Sequence, residues 1–79
     1  MLTQDERDLI EALVRRKRLL PPAERDCPSP KDIRTWVVWL ARTSGFQPSK
    51  RRPLPGKRIL WRAYVNLQKQ LRVWRMMRD

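Results

Sequence analysis

Apolar residues recur at three- and four-residue spacing in three stretches of this chain, and no stretch reads as a strand. Leu9, Ile10, Leu13 and Val14 predict a first amphipathic helix. Thr3 and Glu6 form a T-x-x-E capping box at its start, in which each side chain satisfies a backbone N–H that the helix leaves unpaired. Asp5, Glu6 and Asp8 crowd the positive end of the helix dipole, and Arg15-Arg16-Lys17-Arg18 occupy the negative end. Pro21-Pro22 are expected to stop the helix, because proline has no N–H to continue the ladder. The basic run suits dipole complementation and solvation as well as it suits phosphate contact.

A second helix is expected to open at Ser29-Pro30, with serine as N-cap, proline in the first helical position and Asp32 in the third. Ile33, Trp36, Val37, Leu40 and Ala41 make one stripe, while Val38 and Trp39 lie off it. A helix that is apolar on more than one side packs between two neighbours. Gly45 offers a left-handed stop. The third helix runs from about Lys57 to Arg78, with Leu60, Ala63, Tyr64, Leu67, Leu71 and Trp74 as its core stripe. Ile59, Val65, Val73, Met76 and Met77 form a second apolar strip on the far side, diluted by Arg62 and Lys69. One buried face is enough for a small domain, so the second strip predicts a partner helix. The simpler alternative is that the terminal methionines cover the end of the core.

The expected architecture is all-α: one small three-helix domain over residues 1–79, with a long C-terminal helix and an internal Pro-rich linker at 21–29. The connection from Ser44 to Gly56 is longer than most, about a dozen residues, and Pro48, Pro53 and Pro55 restrict it. A chain of 79 residues buries only roughly 60% of the surface that its unfolded form exposes. Its four tryptophans, Trp36, Trp39, Trp61 and Trp74, supply much of the apolar area.

Charge changes this picture more than composition does. Nineteen Lys plus Arg face eight Asp plus Glu, a net of +11. From Ser44 to Asp79 ten basic residues meet one acid, Asp79. Such a field attracts phosphate-rich partners. The chain has no histidine, which removes the commonest general base, and its single cysteine, Cys27, allows no intrachain disulfide. The latter fits a reducing cytoplasm. No run of about 18 apolar residues is present, so no transmembrane helix is expected. A ribosomal or membrane-surface role would show the same charge balance; the expected partners nevertheless include no membrane. The acidic, amphipathic N-terminus does not look like a signal peptide.

Catalysis is argued against by the same inventory. No Ser/His/Asp set, Cys/His pair, P-loop or dinucleotide fingerprint occurs. Asp5, Glu6, Asp8 and Glu11 read as dipole partners, since hard cations prefer an oxygen-rich loop. No catalytic residue, metal, cofactor or small-molecule substrate is expected. The candidate chemistry is recognition of a polyanion. Ser49, Lys50, Arg51 and Arg52 sit on the long loop, and Lys57 and Arg58 open the third helix, where backbone N–H groups near Gly56 and Lys57 also favour an anion. Such contacts position a nucleic acid and carry no base sequence. A merely solvated charged loop would read the same way.

These residues also carry a resemblance. The opening Leu2-Thr3-x-Asp5-Glu6, the segment Ala41-Arg42-x-x-Gly45-Phe46, the run Ser49-Lys50-Arg51, and Leu60-Trp61 with Leu67-Gln68 beyond keep a fairly specific spacing. From Leu2 to about Arg78 the chain resembles the C-terminal domain of the Tn-five-type bacterial cut-and-paste transposases, DNA recombination enzymes with an RNase H-like catalytic core. In that family the C-terminal domain dimerises the protein in the synaptic complex and contacts transposon-end DNA bound to the other subunit. In the DNA-free protein it also helps suppress binding by the N-terminal domain. The catalytic acids of the family and its Tyr/Arg/Glu/Lys signature lie upstream of this domain, so the resemblance implies a non-catalytic module.

By residue, the resemblance puts Lys50 where the family has a lysine that touches DNA in trans. Gly56 stands where the family has a DNA-contacting serine, so only its backbone takes part. Lys69 and Met77 fall where the family helix dimerises, and Val65, Val73 and Met76 are expected to join them against a second transposase subunit. There the family prefers small side chains, and Lys69, Val73 and Met77 are larger. Two other readings stay open: a free-standing DNA-binding regulator of helix-turn-helix type, and an inhibitory fragment that pairs with a full-length transposase.

Overall fold

A computed structural model describes residues 2–78. Met1 and Asp79, the ends of the expected domain, lie outside the described residues. The chain forms three α-helices, α1 (Gln4–Arg16), α2 (Ile33–Arg42) and α3 (Lys57–Arg78), with a short 3-10 turn at Pro22–Glu24 and no strand among the described residues. Each helix packs against the other two.

The start of α1 is the capping box read from the sequence. Thr3 accepts from the Glu6 N–H at 3.2 Å, and the Glu6 carboxylate accepts from the Thr3 N–H at 2.8 Å. Its end differs from the expectation. The prolines do not stop it. The Leu19 N–H reaches the Val14 carbonyl at 2.9 Å and the Arg18 N–H reaches the Arg15 carbonyl at 3.3 Å, with Arg18 at a φ of 53°. This is a Schellman stop built on arginine. It turns the chain so that Leu20, 4% exposed, enters the core. A left-handed arginine costs roughly 1–2 kcal/mol of strain that glycine avoids. Arg18→Gly should therefore raise the unfolding free energy by about 1 kcal/mol, read as a higher denaturant midpoint at unchanged slope.

The same motif closes α2, here on the glycine the sequence offered. Gly45 has a φ of 94°, and the Phe46 N–H bonds the Ala41 carbonyl at 3.2 Å. The start of α2 is a correction. Asp32, not Ser29, is the N-cap, and its carboxylate accepts from the Thr35 N–H at 2.7 Å. An aspartate in extended backbone directly before the apolar stripe outcompetes a serine three residues earlier. Ser29 instead donates to the Glu11 carboxylate at 2.8 Å.

The core is made by Leu9, Ile10, Val14, Leu20, Trp36, Trp39, Leu40, Ala63, Leu67 and Leu71. Trp39, read from the sequence as off the stripe, is 4% exposed and meets Trp36 edge-on with centroids 5.8 Å apart. Two expected core residues lie at the surface: Ile33 is 41% exposed and Tyr64 is 37% exposed. Ile59 does not join the outer strip; it is half-buried in a small cleft with Phe46 and Arg62. The lengths explain the outer end of α3. At about 1.5 Å per residue the helix runs about 33 Å, whereas α1 covers only about 20 Å and α2 about 15 Å. Neither neighbour is long enough to cover α3 along its whole length, and Met76 and Met77 are 75% and 81% exposed.

The linker at 21–29 is tied to α1 by Arg15, which donates to the carbonyls of Arg25 at 3.0 Å and Cys27 at 2.8 Å. It also pairs with Glu11 at 3.1 Å and lies over the Trp39 ring. The first residue of the basic run is thus a structural clamp.

Candidate nucleic-acid interface

The cationic loop is held by bonds between Ser49 and Arg52. The Ser49 N–H bonds the Arg52 carbonyl at 3.0 Å, and the Ser49 hydroxyl accepts from the Arg52 N–H at 3.1 Å. Ser49 therefore shapes a tight turn, which leaves its hydroxyl hydrogen as the donor for an anion. Lys50, Arg51 and Arg52 project from that turn and are all exposed. Pro48, Pro53 and Leu54 line one cleft with Val38 and Trp39 of α2, so the two ends of the turn face the helix across it.

At the other end of the loop, the Gly56 carbonyl accepts the Leu60 N–H at 3.0 Å and opens α3. Residue 56 has no side chain to cap the helix, and a Cβ placed there would meet nothing within 4 Å. Lys57 and Arg58 follow, both exposed. No ion pair ties Lys50, Arg51, Arg52, Lys57 or Arg58; the two salt bridges among the described residues are Arg15–Glu11 and Arg75–Asp5. Helix α3 contains seven Lys and Arg and no acid. The acids of α1 are otherwise engaged: Asp8 accepts from Gln4, and Glu11 from Arg15 and Ser29. Among the described residues no group of acids, cysteine or histidine is arranged to hold a metal, and no helix is long and apolar enough to cross a membrane.

The expected pairing residues occupy the outer length of α3. Val73, Met76 and Met77 are exposed, as is Lys69, while Val65 is half-buried. Lys69, Val73 and Met77 also border a cleft of about 410 Å³ shared with Leu13 of α1 and Trp74. The strip is thus continuous with a groove between α1 and α3, which the sequence pattern did not reveal.

The periodicity of α1 also missed a buried acid. Glu6 is 3% exposed and accepts a hydrogen bond from the Gln68 amide across the α1–α3 contact. Burial pushes its pKa up, but the Thr3 backbone N–H and hydroxyl, the Gln68 amide and, last, the Tyr64 hydroxyl outweigh it and hold the carboxyl below its ordinary value. The Thr35 backbone N–H lowers Asp32 in the same direction. For both groups the folded pKa lies below the unfolded one. Their stabilisation is therefore complete above the ordinary carboxylate range and is lost as the pH falls through the folded values. Melting temperature should be flat above about pH 5 and decline below it. Glu6→Gln should flatten that acid decline and lower neutral-pH stability by about 1 kcal/mol.

Comparison with protein-family models, with curated proteins and with solved structures finds no match to this chain.

Proposed function

We propose that this chain is a non-catalytic helical module of a DNA transposase, which grips transposon-end DNA by its phosphates and pairs with a second subunit through α3. The observation that carries the reading is the set of five exposed, unpaired cations, Lys50, Arg51, Arg52, Lys57 and Arg58, held by a braced turn and by the start of a helix. Phosphate contacts of this kind orient a duplex without reading its bases. The DNA is the partner, and no small molecule or cofactor takes part. The resemblance described above supplies the word transposase; the cations supply the polyanion. Residues 43–56 separate α2 from α3, which disfavours a helix-turn-helix arrangement, whose turn spans about three or four residues.

Titration of a labelled duplex at several salt concentrations tests the DNA contact. The affinity should fall steeply and linearly on a log–log scale. A flat salt response, or no binding in dilute buffer, sinks the reading. The pairing surface has its own test. Met76→Asp should weaken self-association in sedimentation velocity by at least about tenfold, because a buried unpaired carboxylate is costly. Helicity should be unchanged, since Met76 is 75% exposed. A monomeric wild type at high concentration, with and without DNA, removes the pairing role.

A further inference from the structure

The first turns of α3 carry a feature that phosphate contacts do not use. Trp61 is 68% exposed, an unusual state for the largest apolar side chain. Its ring lies nearly parallel to that of Tyr64, at 26° with centroids 6.4 Å apart. Both rings line an apolar groove of about 460 Å³, together with Ile33, Val37, Leu40 and Leu60. No acid lines the groove, and Lys57 does. Arg58 follows it, exposed and without an ion pair. A flat aromatic surface beside free cations differs in kind from the outer strip of α3, which has no exposed aromatic ring.

We infer that Trp61 and Tyr64 form a stacking platform for an unpaired base of a DNA strand, with Lys57 and Arg58 holding the phosphates on either side. Every base has a π-face, so stacking on an aromatic ring tolerates any sequence and complements a cationic track along the backbone. The apolar groove receives the ring while the polar edge of the base stays at the open mouth, hydrated. The cations argue for this occupant over an uncharged apolar peptide, because a neutral helix in the groove would leave the charges of Lys57 and Arg58 without partners. The inference rests on the DNA-binding reading above and extends it from duplex phosphates to single-stranded DNA.

The test compares two probes, a labelled oligothymidylate of about a dozen nucleotides and a blunt duplex of about twenty base pairs, at one moderate salt concentration. Trp61→Ala should weaken the oligothymidylate about tenfold and the duplex less than about twofold, while Trp61→Phe keeps most of the single-strand affinity. Binding of the oligothymidylate should quench tryptophan emission in the wild type and much less in Trp61→Phe. Circular dichroism serves as the fold control, and the exposure of Trp61 makes an unchanged spectrum the expected result. Equal loss on both probes, or no loss on the single strand, overturns the platform and leaves the duplex reading standing. Failure of the wild type to bind either probe overturns both. Loss of binding of a labelled acidic amphipathic peptide in Trp61→Ala, with oligothymidylate binding untouched, would assign the groove to a protein partner instead and overturn the platform.

Discussion

Replacing Lys50, Arg51 and Arg52 together with alanine should reduce duplex affinity by roughly a hundredfold at physiological salt and lower the salt slope by about 2–3. Each neutralised phosphate contributes about 0.9 to that slope, so three lost contacts set the size of the change. The loss should be equal for related and unrelated DNA sequences, because these side chains reach phosphates and not base edges. Folding should be little affected. All three side chains are exposed, none is in an ion pair, and the turn is held by the Ser49 hydroxyl and two backbone groups of Arg52 that alanine retains. Fluorescence anisotropy over a range of salt concentrations reads both quantities. An unaltered slope would take the loop out of the interface and leave Lys57 and Arg58 as its only candidates.

Truncating Leu67 to alanine should cost about 3 kcal/mol. Leu67 is 1% exposed, belongs to the cluster joining all three helices, and is among the three largest fully buried side chains. A domain of 79 residues has about 4–12 kcal/mol of stability in all. The truncation therefore removes a quarter or more of it and should lower the melting temperature by about 12–24 °C. Met77→Ala removes a side chain of similar size on the same helix, yet at 81% exposure it should change stability by less than about 0.5 kcal/mol. Chemical denaturation of the two variants side by side checks the assignment of faces. Equal costs would mean that Met77 is buried in solution, which would occur if α3 is paired.

That Lys50, Arg51, Arg52, Lys57 and Arg58 stand without ion pairs was legible because nothing in the sequence near them offers a partner. Ser44 to Arg78 contains no acid, so the charges of the loop and of α3 could be neutralised only by acids before α2, by Asp79 or by another molecule. Arg15 belongs to the same kind of run and does something else. Its guanidinium clamps two linker carbonyls, a contact across residues 25 and 27 that no charge pattern encodes. Trp61 was expected to supply apolar area with the other tryptophans, yet it is 68% exposed. Its exposure is a property of what packs nearby, which the sequence does not display.

Local backbone chemistry accounts for what could be read in one dimension. The Thr3–Glu6 box, the apolar spacing of α1 and α3, and the left-handed stop at Gly45 each depend on residues within one or two helical turns. Short-range steric and hydrogen-bond rules are sufficient for them. The exact caps were harder where two residue types compete: Asp32 displaced Ser29, and Arg18 took a conformation that glycine usually holds. The sides of the helices were settled at longer range. Trp39 is buried because α2 sits between two neighbours, whereas Tyr64 lies at the edge of the α1–α3 contact and stays partly exposed. Met76 and Met77 stand free on a helix that runs well beyond the length of either partner. Periodicity tells which residues share a face; the length and placement of neighbouring helices decide which face is covered, and those are consequences of the assembled chain.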